Sequence, residues 1–278
     1  MDNWGRPPCN MCGSAKREIL FSGVTTWEHE GVFTFVKCKN CDLVYLCPRP
    51  PRSKIGTFYP RKTYWGVDVA VSHGAIAWRG RRAASFGFLY RMIFHQKNKG
   101  AILDVGAGTG VFLTRFQELG WKVEGVELSS DAVAFGQRTY GIRLKAGDFF
   151  DHRFSNKQFD LITFNNSLEH LYSPREVLQQ VFAMLKDDGM LIITVPNIES
   201  LGAKLFRVHW YPLQPPRHLY HFSPKTIRNM LSSCGFVVTN IKHSYWDHNF
   251  YSLFASFRFL TSPRFTKKKQ GGLANTSY

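Results

Sequence analysis

The segment Ala101-Ile-Leu-Asp-Val-Gly-Ala-Gly-Thr-Gly-Val-Phe112 decides the fold of this chain of 278 residues. Its first residues form a short apolar run, which is typical of a buried parallel strand. Glycines follow at alternate positions, and apolar residues then recur at helical spacing until Gly120. The pattern predicts a strand, a glycine turn and a helix, and glycine lets the backbone of such a turn approach a ligand closely.

The glycine spacing and one acid distinguish this turn from a dinucleotide-binding turn. Gly106, Gly108 and Gly110 follow the pattern G-x-G-x-G, whereas the dinucleotide fingerprint is G-x-G-x-x-G. Asp104 lies inside the strand end, where a carboxylate would repel a pyrophosphate but suits a cationic or hydroxyl-bearing ligand. An NAD oxidoreductase is therefore disfavoured. On this pattern alone, a glycine turn that binds nothing remains an alternative.

Further strand patterns alternate with helical patterns downstream. Strands are predicted at 121–127, 145–149, 159–165 and 190–196, with a sixth at 236–241 and a poorly marked seventh near 250–260. This alternation predicts an α/β fold with a doubly wound, mostly parallel seven-stranded sheet. Asp104, Glu127, Asp148 and Asn165 all fall at carboxyl ends of predicted strands, where sheets of this kind bind ligands.

The residues Leu103 to Gly110 closely resemble motif I of the class I S-adenosylmethionine (SAM) methyltransferases. The resemblance implies a Rossmann-like methyltransferase fold, with SAM as the cofactor and its methionine part at the glycine loop. It also implies that Glu127 holds the ribose hydroxyls, that Asp148 reaches the adenine amino group and that Phe149 stacks on the ring. The cofactor-binding residues expected on this basis are Asp104, Gly106, Ala107, Gly108, Gly110, Glu127, Leu128, Asp148, Phe149 and Asn165.

The segment after the fourth predicted strand bears on the acceptor. Enzymes that methylate exocyclic amines often carry Asn/Asp-Pro-Pro-aromatic here, whereas this chain has Asn165-Asn-Ser-Leu168. The segment Leu168-Glu-His-Leu171 resembles ubiquinone-pathway O-methyltransferases and related enzymes of cell-surface polysaccharide synthesis. A hydroxyl acceptor benefits from a base of near-neutral pKa, and His170 is the first choice for that role, followed by His218 and His221. A histidine that only packs or hydrogen-bonds is the alternative for each.

Four cysteines at the N-terminus form two C-x2-C pairs separated by 25 residues: Cys9 with Cys12, and Cys38 with Cys41. Two such pairs complete a tetrahedron of thiolates, which predicts a structural zinc ion and leaves no open position for zinc catalysis. A segment of this size cannot build a stable core without such a metal. Four reduced cysteines without a metal are the alternative. Together with the Pro-Arg217-His-Leu-Tyr-His-Phe-Ser run, the predicted ribbon resembles methyltransferases that carry an N-terminal zinc ribbon, often among glycan genes.

The net charge of +16 is concentrated in two segments. Residues 46–100 hold eleven basic and one acidic side chain, and residues 200–278 again hold eleven and one. This surplus predicts an anionic partner, and solubility alone is the weaker alternative. The domains are predicted as a zinc ribbon at 1–45, a basic connector with N-terminal helices at 46–100 and a methyltransferase domain at 101–262. The last has an acceptor-side insertion at 201–222 and is followed by a disordered basic tail at 263–278.

No window reaches the roughly 18 apolar residues of a membrane span, and the N-terminus lacks the apolar core of a signal peptide. A cytoplasmic protein is therefore expected. The apolar stretch 251–260, followed by Lys267–Lys269, suits peripheral contact with an anionic membrane. A final strand with a frayed basic tail is the slightly favoured alternative.

The hypothesis from the sequence is a methyltransferase acting on a hydroxyl of a sugar, nucleotide-sugar or lipid-linked glycan, and transfer to nitrogen or carbon stays open. Arg217 and the arginines of residues 46–100 would then hold the acceptor phosphates. An RNA methyltransferase is an alternative that the neutral ribbon, with five basic and five acidic residues in 1–45, and the absent amine motif disfavour. A non-catalytic zinc-ribbon binding protein with a relic SAM fold is another. The intact acids at the strand ends weigh against it.

Overall fold

The computed structural model describes residues 4–26, 30–59, 87–94, 99–243 and 256. The chain divides into two compact units. The first unit comprises Met1–Pro50, Asn197–Thr226 and Asn240–Tyr278, and the second comprises Pro51–Pro196 and Ile227–Thr239. Among the described helices, none has the length and apolar character needed to cross a membrane.

The described strands, in chain order, are β1 (Arg17–Val24), β2 (Phe33–Cys38), β3 (Val44–Leu46), β4 (Ala101–Val105), β5 (Lys122–Glu127), β6 (Lys145–Ala146), β7 (Phe159–Asn165), β8 (Leu185–Thr194) and β9 (Tyr220–His221). The α-helices are α1 (Arg52–Ile55), α2 (Gly87–Phe94), α3 (Val111–Glu118), α4 (Ser130–Tyr140), α5 (Pro174–Met184), α6 (Leu201–Phe206) and α7 (Pro224–Ser233). Short 3-10 turns cover Gly56–Phe58, Phe149–Asp151, Leu168–His170, Arg207–His209 and Tyr211–Leu213.

The first unit contains an antiparallel sheet in the order β1-β2-β3-β9. Its centre is tightly packed, because Phe35, Leu43 and Leu46 are fully buried. The last strand comes from a part of the chain far from the other three, with Tyr220 opposite Tyr45. Residues of the predicted insertion at 201–222 therefore complete a sheet that begins in the predicted ribbon.

The second unit contains a parallel sheet in the order β6-β5-β4-β7-β8. Strand β4 lies at the centre, with Ile102 opposite Val123 on one side and Leu161 on the other. The side chains of Ile102, Leu103 and Val105 in this strand are buried, as expected for a parallel strand covered on both faces. The Rossmann-like arrangement predicted from the sequence is confirmed.

One layer of aromatic side chains packs helices against this sheet. Tyr90 of α2 stacks on Phe112 of α3 at 5.3 Å, and its hydroxyl donates to the backbone carbonyl of the same residue at 2.8 Å. Phe116 lies edge-on to Trp121 at 5.2 Å. Full burial of each such ring contributes roughly 1.5–3 kcal/mol. Helix α3 is therefore held firmly where it leaves the glycine loop.

The sheet of seven strands predicted from the sequence has five within the described part of the chain. The predicted strand at 236–241 is wrong, because these residues form no strand. Val237 is exposed, the ring of Phe236 packs edge-on against Phe182 at 5.1 Å, and Arg228 donates to the backbone carbonyl of Val238 at 3.2 Å. Residues 236–238 are thus held by contacts with the side chains of Phe182 and Arg228, and not by pairing with another strand.

Several sequence predictions lie outside the described residues. These are residues 60–86 of the basic connector, most of the region near 250–260, the lysines at 267–269 and the tail at 263–278. Ser256 is described and is not in a strand. The predicted N-terminal helix is described over Gly87–Phe94.

Candidate cofactor site and cysteine cluster

The glycine loop after β4 has a backbone shape that only glycine accommodates easily. Gly106 and Gly110 have φ angles of 79° and 74°. A Cβ on Gly106 would overlap the Cβ of Ser167, and one on Gly110 would come within 2.8 Å of the Cγ2 of Ile142. The alternating glycines therefore have a steric cause, because a side chain at Gly106 or Gly110 would collide with its neighbours.

Asp104 lies near the end of β4 and is 1% exposed. One carboxylate oxygen accepts hydrogen bonds from the Thr163 hydroxyl at 2.6 Å and from the Asn165 side-chain amide at 3.2 Å. Burial raises the pKa of Asp104 to about 7 despite these two bonds, and the nearby carboxyl of Glu127 adds to the rise. A cationic ligand placed here would favour the charged form of the acid.

Glu127 ends β5 and joins that strand to the glycine loop. One of its oxygens accepts from the backbone N–H of Gly108 at 2.9 Å, and the other from that of Ser129 at 2.8 Å. Burial raises the pKa of Glu127, while these backbone donors oppose the rise. Each carboxylate oxygen can accept a second hydrogen bond, so ribose hydroxyls remain suitable partners. The neighbouring side chain of Leu128 is exposed.

Asp148 and Phe149 lie just after β6 and are engaged in local structure. Asp148 caps the turn Phe149–Asp151, accepts from the backbone N–H of Phe150 at 3.0 Å and forms an ion pair with Arg52. The buried ring of Phe149 stacks on Phe154 at 5.9 Å. Their roles beside an adenine ring stay predictions.

The turn after β7 holds two polar groups that the protein leaves unsatisfied. The side-chain oxygen of Asn165 and both carboxylate oxygens of Glu169 are buried without a hydrogen-bond partner among the described residues. The turn itself is anchored to β4, because the Ser167 hydroxyl donates to the carbonyl of Val105 at 2.5 Å. Glu169 was not selected from the sequence. Its position next to the apolar Leu168, in the turn before α5, gave only a weak signal of burial.

The three predicted histidines are placed differently. His170 belongs to the second unit, is half-buried, and has its Nδ1 at 3.0 Å from the Tyr59 hydroxyl. His218 and His221 belong to the first unit. The Nδ1 of His218 lies 2.7 Å from the carbonyl oxygen of Pro212, and the ring of His221 is fully buried. Only His170 therefore shares a unit with the glycine loop.

The cysteines of the two C-x2-C pairs form one cluster in the first unit. Their four sulfur atoms all lie within 4.8 Å of one another. In each of the two closest contacts, a sulfur of one C-x2-C pair meets a sulfur of the other pair. The distance is 3.4 Å between Cys9 and Cys41 and 3.5 Å between Cys12 and Cys38. None of these cysteines is in a disulfide. The arrangement suits a small tetrahedral ion.

A sequence profile of the methyltransferase domain family matches residues 77–241, which is more than half of the chain. The chain belongs to the methyltransferase domain family. This match begins upstream of β4 and includes the glycine loop, Asp104, Glu127 and the turn with Glu169. The family predicted from the glycine motif is thus confirmed.

Known relatives of this methyltransferase-domain chain match only part of it. A protein of Geobacillus sp. named as a methyltransferase is 32% identical over 147 residues, which is 49% of this chain and 57% of that protein. The ubiquinone biosynthesis O-methyltransferase of Glaesserella parasuis is 29% identical over 110 residues, 34% of this chain and 45% of that enzyme. The chain thus spans about half the length of these curated relatives.

Solved structures support the fold of the methyltransferase domain. The crystal structure of the YcgJ protein of Bacillus subtilis matches with a TM-score of 0.51 at 20% sequence identity. The match covers 66% of this chain and 81% of that one. At this identity the likeness concerns the fold alone, and the roles of individual site residues stay predictions.

Proposed function

We propose that the protein transfers the methyl group of SAM to a hydroxyl of a sugar, nucleotide-sugar or lipid-linked glycan. The observation that carries the first half of this proposal is the glycine loop with two buried acids, Asp104 and Glu127, in a chain of the methyltransferase domain family. Both acids have raised pKa values, chiefly because they are buried. A ligand that brings positive charge and hydroxyl groups to this place complements them.

SAM meets this description, and when bound it supplies an electrophilic methyl group on a sulfonium. The residues present fit it. The buried oxygen of Asn165 and the carboxylate of Asp104 suit its cationic methionine part, and Glu127 suits its ribose. The task left to the protein is to orient an acceptor in line with the methyl group, since proximity and alignment supply much of the rate of such a transfer.

The acceptor half of the proposal is supported by cationic side chains in the first unit. Arg217 is 4% exposed and donates to the side-chain oxygen of Gln214 at 3.1 Å. Arg49 donates to the Tyr220 hydroxyl at 2.8 Å and lies 5.9 Å from the centre of that ring. Guanidinium groups held in this way suit bidentate binding of phosphate. We propose that they bind the phosphates of an anionic acceptor.

The same unit is proposed to hold a structural zinc ion on Cys9, Cys12, Cys38 and Cys41. Zinc–thiolate bonds of about 2.3 Å place the sulfurs of a tetrahedral site less than 4 Å apart, which agrees with the closest sulfur distances of 3.4 and 3.5 Å. Burial raises the pKa of the Cys9 thiol to about 11, so a cation is needed to hold that sulfur as a thiolate at neutral pH.

The experiment that tests the proposed function follows labelled methyl groups. The purified protein is incubated with radiolabelled SAM and an extract of its own host, and label is followed into lipid, sugar-nucleotide and nuclease-sensitive fractions. Label in the lipid or sugar fraction is the expected result. The matched control is Glu127→Ala, which removes the anchor of the glycine loop and should abolish SAM binding and labelling together.

Other outcomes would change the conclusion. Label lost on nuclease treatment would replace the glycan acceptor by RNA. Tight SAM binding without transfer to any fraction would favour the non-catalytic binding protein. Contact of residues 251–269 with an anionic membrane stays an expectation, and partition of the protein onto anionic vesicles would test it.

A further inference from the structure

Glu169 is the least compensated buried charge in the described part of the second unit. Its side chain is 1% exposed, and neither carboxylate oxygen has a hydrogen-bond partner in another described residue. Only the backbone N–H of Glu169 itself opposes the effect of burial on the pKa of this carboxyl. By contrast, Asp104 and Glu127, which are buried to a similar degree, each accept two hydrogen bonds. A carboxyl group in this state costs folding free energy, and such groups in native proteins call for an explanation.

The place of Glu169 suggests what the missing partner is. The turn Leu168–His170 follows β7, which lies beside β4, and Ser167 binds the backbone of β4 directly before the glycine loop. Glu169 therefore lies at the carboxyl edge of the sheet, where α/β folds bind their ligands. Two residues before Ser167, the buried oxygen of Asn165 is also unsatisfied. The oxygen atoms of both side chains can therefore accept hydrogen bonds from a ligand at the same edge of the sheet.

Burial also gives Glu169 a useful acidity. It raises the pKa of this carboxyl to about 8. An acid of this strength is partly ionised at neutral to slightly basic pH, and a general base is most effective when its pKa lies near the working pH. A glutamate in water has a pKa of about 4.3 and would be a much weaker base.

His170, the base predicted from the sequence, is less suitable by geometry. Its Nδ1 lies at hydrogen-bond distance from the Tyr59 hydroxyl. The ring is half-buried, and one of its nitrogens lies within 4.8 Å of a carboxylate oxygen of Glu169. This position suits a histidine that passes a proton between the buried carboxyl and solvent.

We propose that Glu169 is the proton acceptor for the methylated hydroxyl, an inference that rests on the proposed hydroxyl acceptor. The acceptor O–H bond breaks and its proton goes to the Glu169 carboxylate, while the acceptor oxygen forms the new O–CH3 bond. The electron pair of the broken S–CH3 bond stays on sulfur, which becomes a neutral thioether. Glu169 ends the step as a neutral acid, and His170 returns its proton to solvent.

The test compares four proteins: wild type, Glu169→Gln, Glu169→Asp and His170→Gln. Each is assayed with radiolabelled SAM and the host-extract fraction that the wild type labels, and SAM affinity is measured by calorimetry. The isosteric Glu169→Gln should lower kcat at least about 100-fold while SAM affinity changes little, because it removes only the proton acceptor. Glu169→Asp keeps a carboxylate and should recover part of the loss. His170→Gln should reduce kcat less than Glu169→Gln does.

A purely structural role for Glu169 predicts a different pattern, with equal losses in both Glu169 variants and a weaker SAM affinity. Glu169→Gln with kcat close to the wild-type value overturns the proposal whichever fraction is labelled. Label in nuclease-sensitive material would overturn the proposed acceptor class, yet the same four-protein comparison would still decide the role of Glu169. The two failures are therefore distinguishable.

A second measurement needs no acceptor. Infrared difference spectra at pH 6 between wild type and Glu169→Gln should show the carbonyl band of a protonated carboxylic acid in the wild type only. Equal spectra would mean that Glu169 is ionised in the resting protein and paired with another group. That result would overturn the proposal even if no acceptor were found.

Discussion

Asp104→Asn should make the ligand-free protein more stable while it weakens SAM binding. The wild-type carboxyl is 1% exposed, and the fold raises its pKa from 3.8 to about 7, chiefly by burial. Asparagine has the same shape and keeps an oxygen that can accept from Thr163 and Asn165, as the carboxylate does. The substitution therefore removes the buried charge and keeps the local hydrogen bonds.

The pKa change sets the size and the pH range of the effect. At 1.36 kcal/mol per pKa unit, a rise from 3.8 to about 7 corresponds to about 4 kcal/mol of lost stability when the carboxyl is fully ionised. The folded state binds the proton more tightly than the unfolded state does. The stability of the wild type should therefore be highest below about pH 4, fall as the pH rises to 7 and change no further from this source.

The assay is urea denaturation of both proteins without ligand at pH 5 and pH 8. At pH 8 the free energy of unfolding of Asp104→Asn should exceed that of the wild type by about 2–4 kcal/mol, and at pH 5 by less than half of that gain. SAM affinity, measured by calorimetry, should fall. An equal or lower stability of the variant at pH 8, or a gain that does not shrink at pH 5, would refute the reasoning.

Asp160→Asn is the matched control on a neighbouring strand. The Asp160 carboxylate accepts from the backbone N–H of Ala101 at 2.8 Å and pairs with the Lys186 ammonium at 2.8 Å. Its charge is compensated, so removal should destabilise the protein or leave it unchanged at pH 8. A stabilised control would mean that net charge, not burial at Asp104, explains the result.

The remaining predictions concern the cysteine cluster and the glycine loop. Metal analysis should find about one zinc ion per chain. The variant Cys12→Ser should lose the ion and unfold at a lower temperature, whereas Cys234→Ser, which lies outside the cluster, should retain it. A wild-type protein that is equally stable without zinc would contradict the site. Gly106→Ala should cost the strain of a positive φ plus the overlap with Ser167, and should weaken SAM binding. Gly141 also has a positive φ, of 68°, but there is open space where its Cβ would be, so Gly141→Ala should lower the free energy of unfolding by only about 1–2 kcal/mol. Equal effects of the two glycine variants on stability and SAM binding would show that the overlap with Ser167 is unimportant.

The local features of this protein were readable from its sequence. The run Ala101–Val105, the alternating glycines and the helix after them became strand, loop and helix as predicted. The four cysteines of the two C-x2-C pairs do come together. These features depend on residues close in sequence, on periodicity and on the steric limits of the backbone, so a local pattern is sufficient to predict them.

Long-range pairing was decided only in the folded chain. The strand Tyr220–His221 has two residues and owes its existence to β3, which lies far away in sequence, so no local pattern marks it. Conversely, residues 236–241 have the composition of a strand but pair with neither edge strand, β6 or β8, of the described parallel sheet. A strand is a property of two segments, and one segment alone does not specify its partner.

Among the buried acids too, some were marked by the sequence and one was found only in the folded structure. Asp104 and Glu127 stood out in the sequence because they lie at the ends of apolar strand patterns, and the structure shows that both are buried. Glu169 was not selected as a site residue and entered the sequence analysis only within the segment Leu168-Glu-His-Leu171. Its burial without a partner arises only because Ser167 anchors that turn to β4 and other parts of the chain cover it. Desolvation depends on everything that surrounds a group, so it is set by tertiary packing and not by the neighbours of a residue in the sequence.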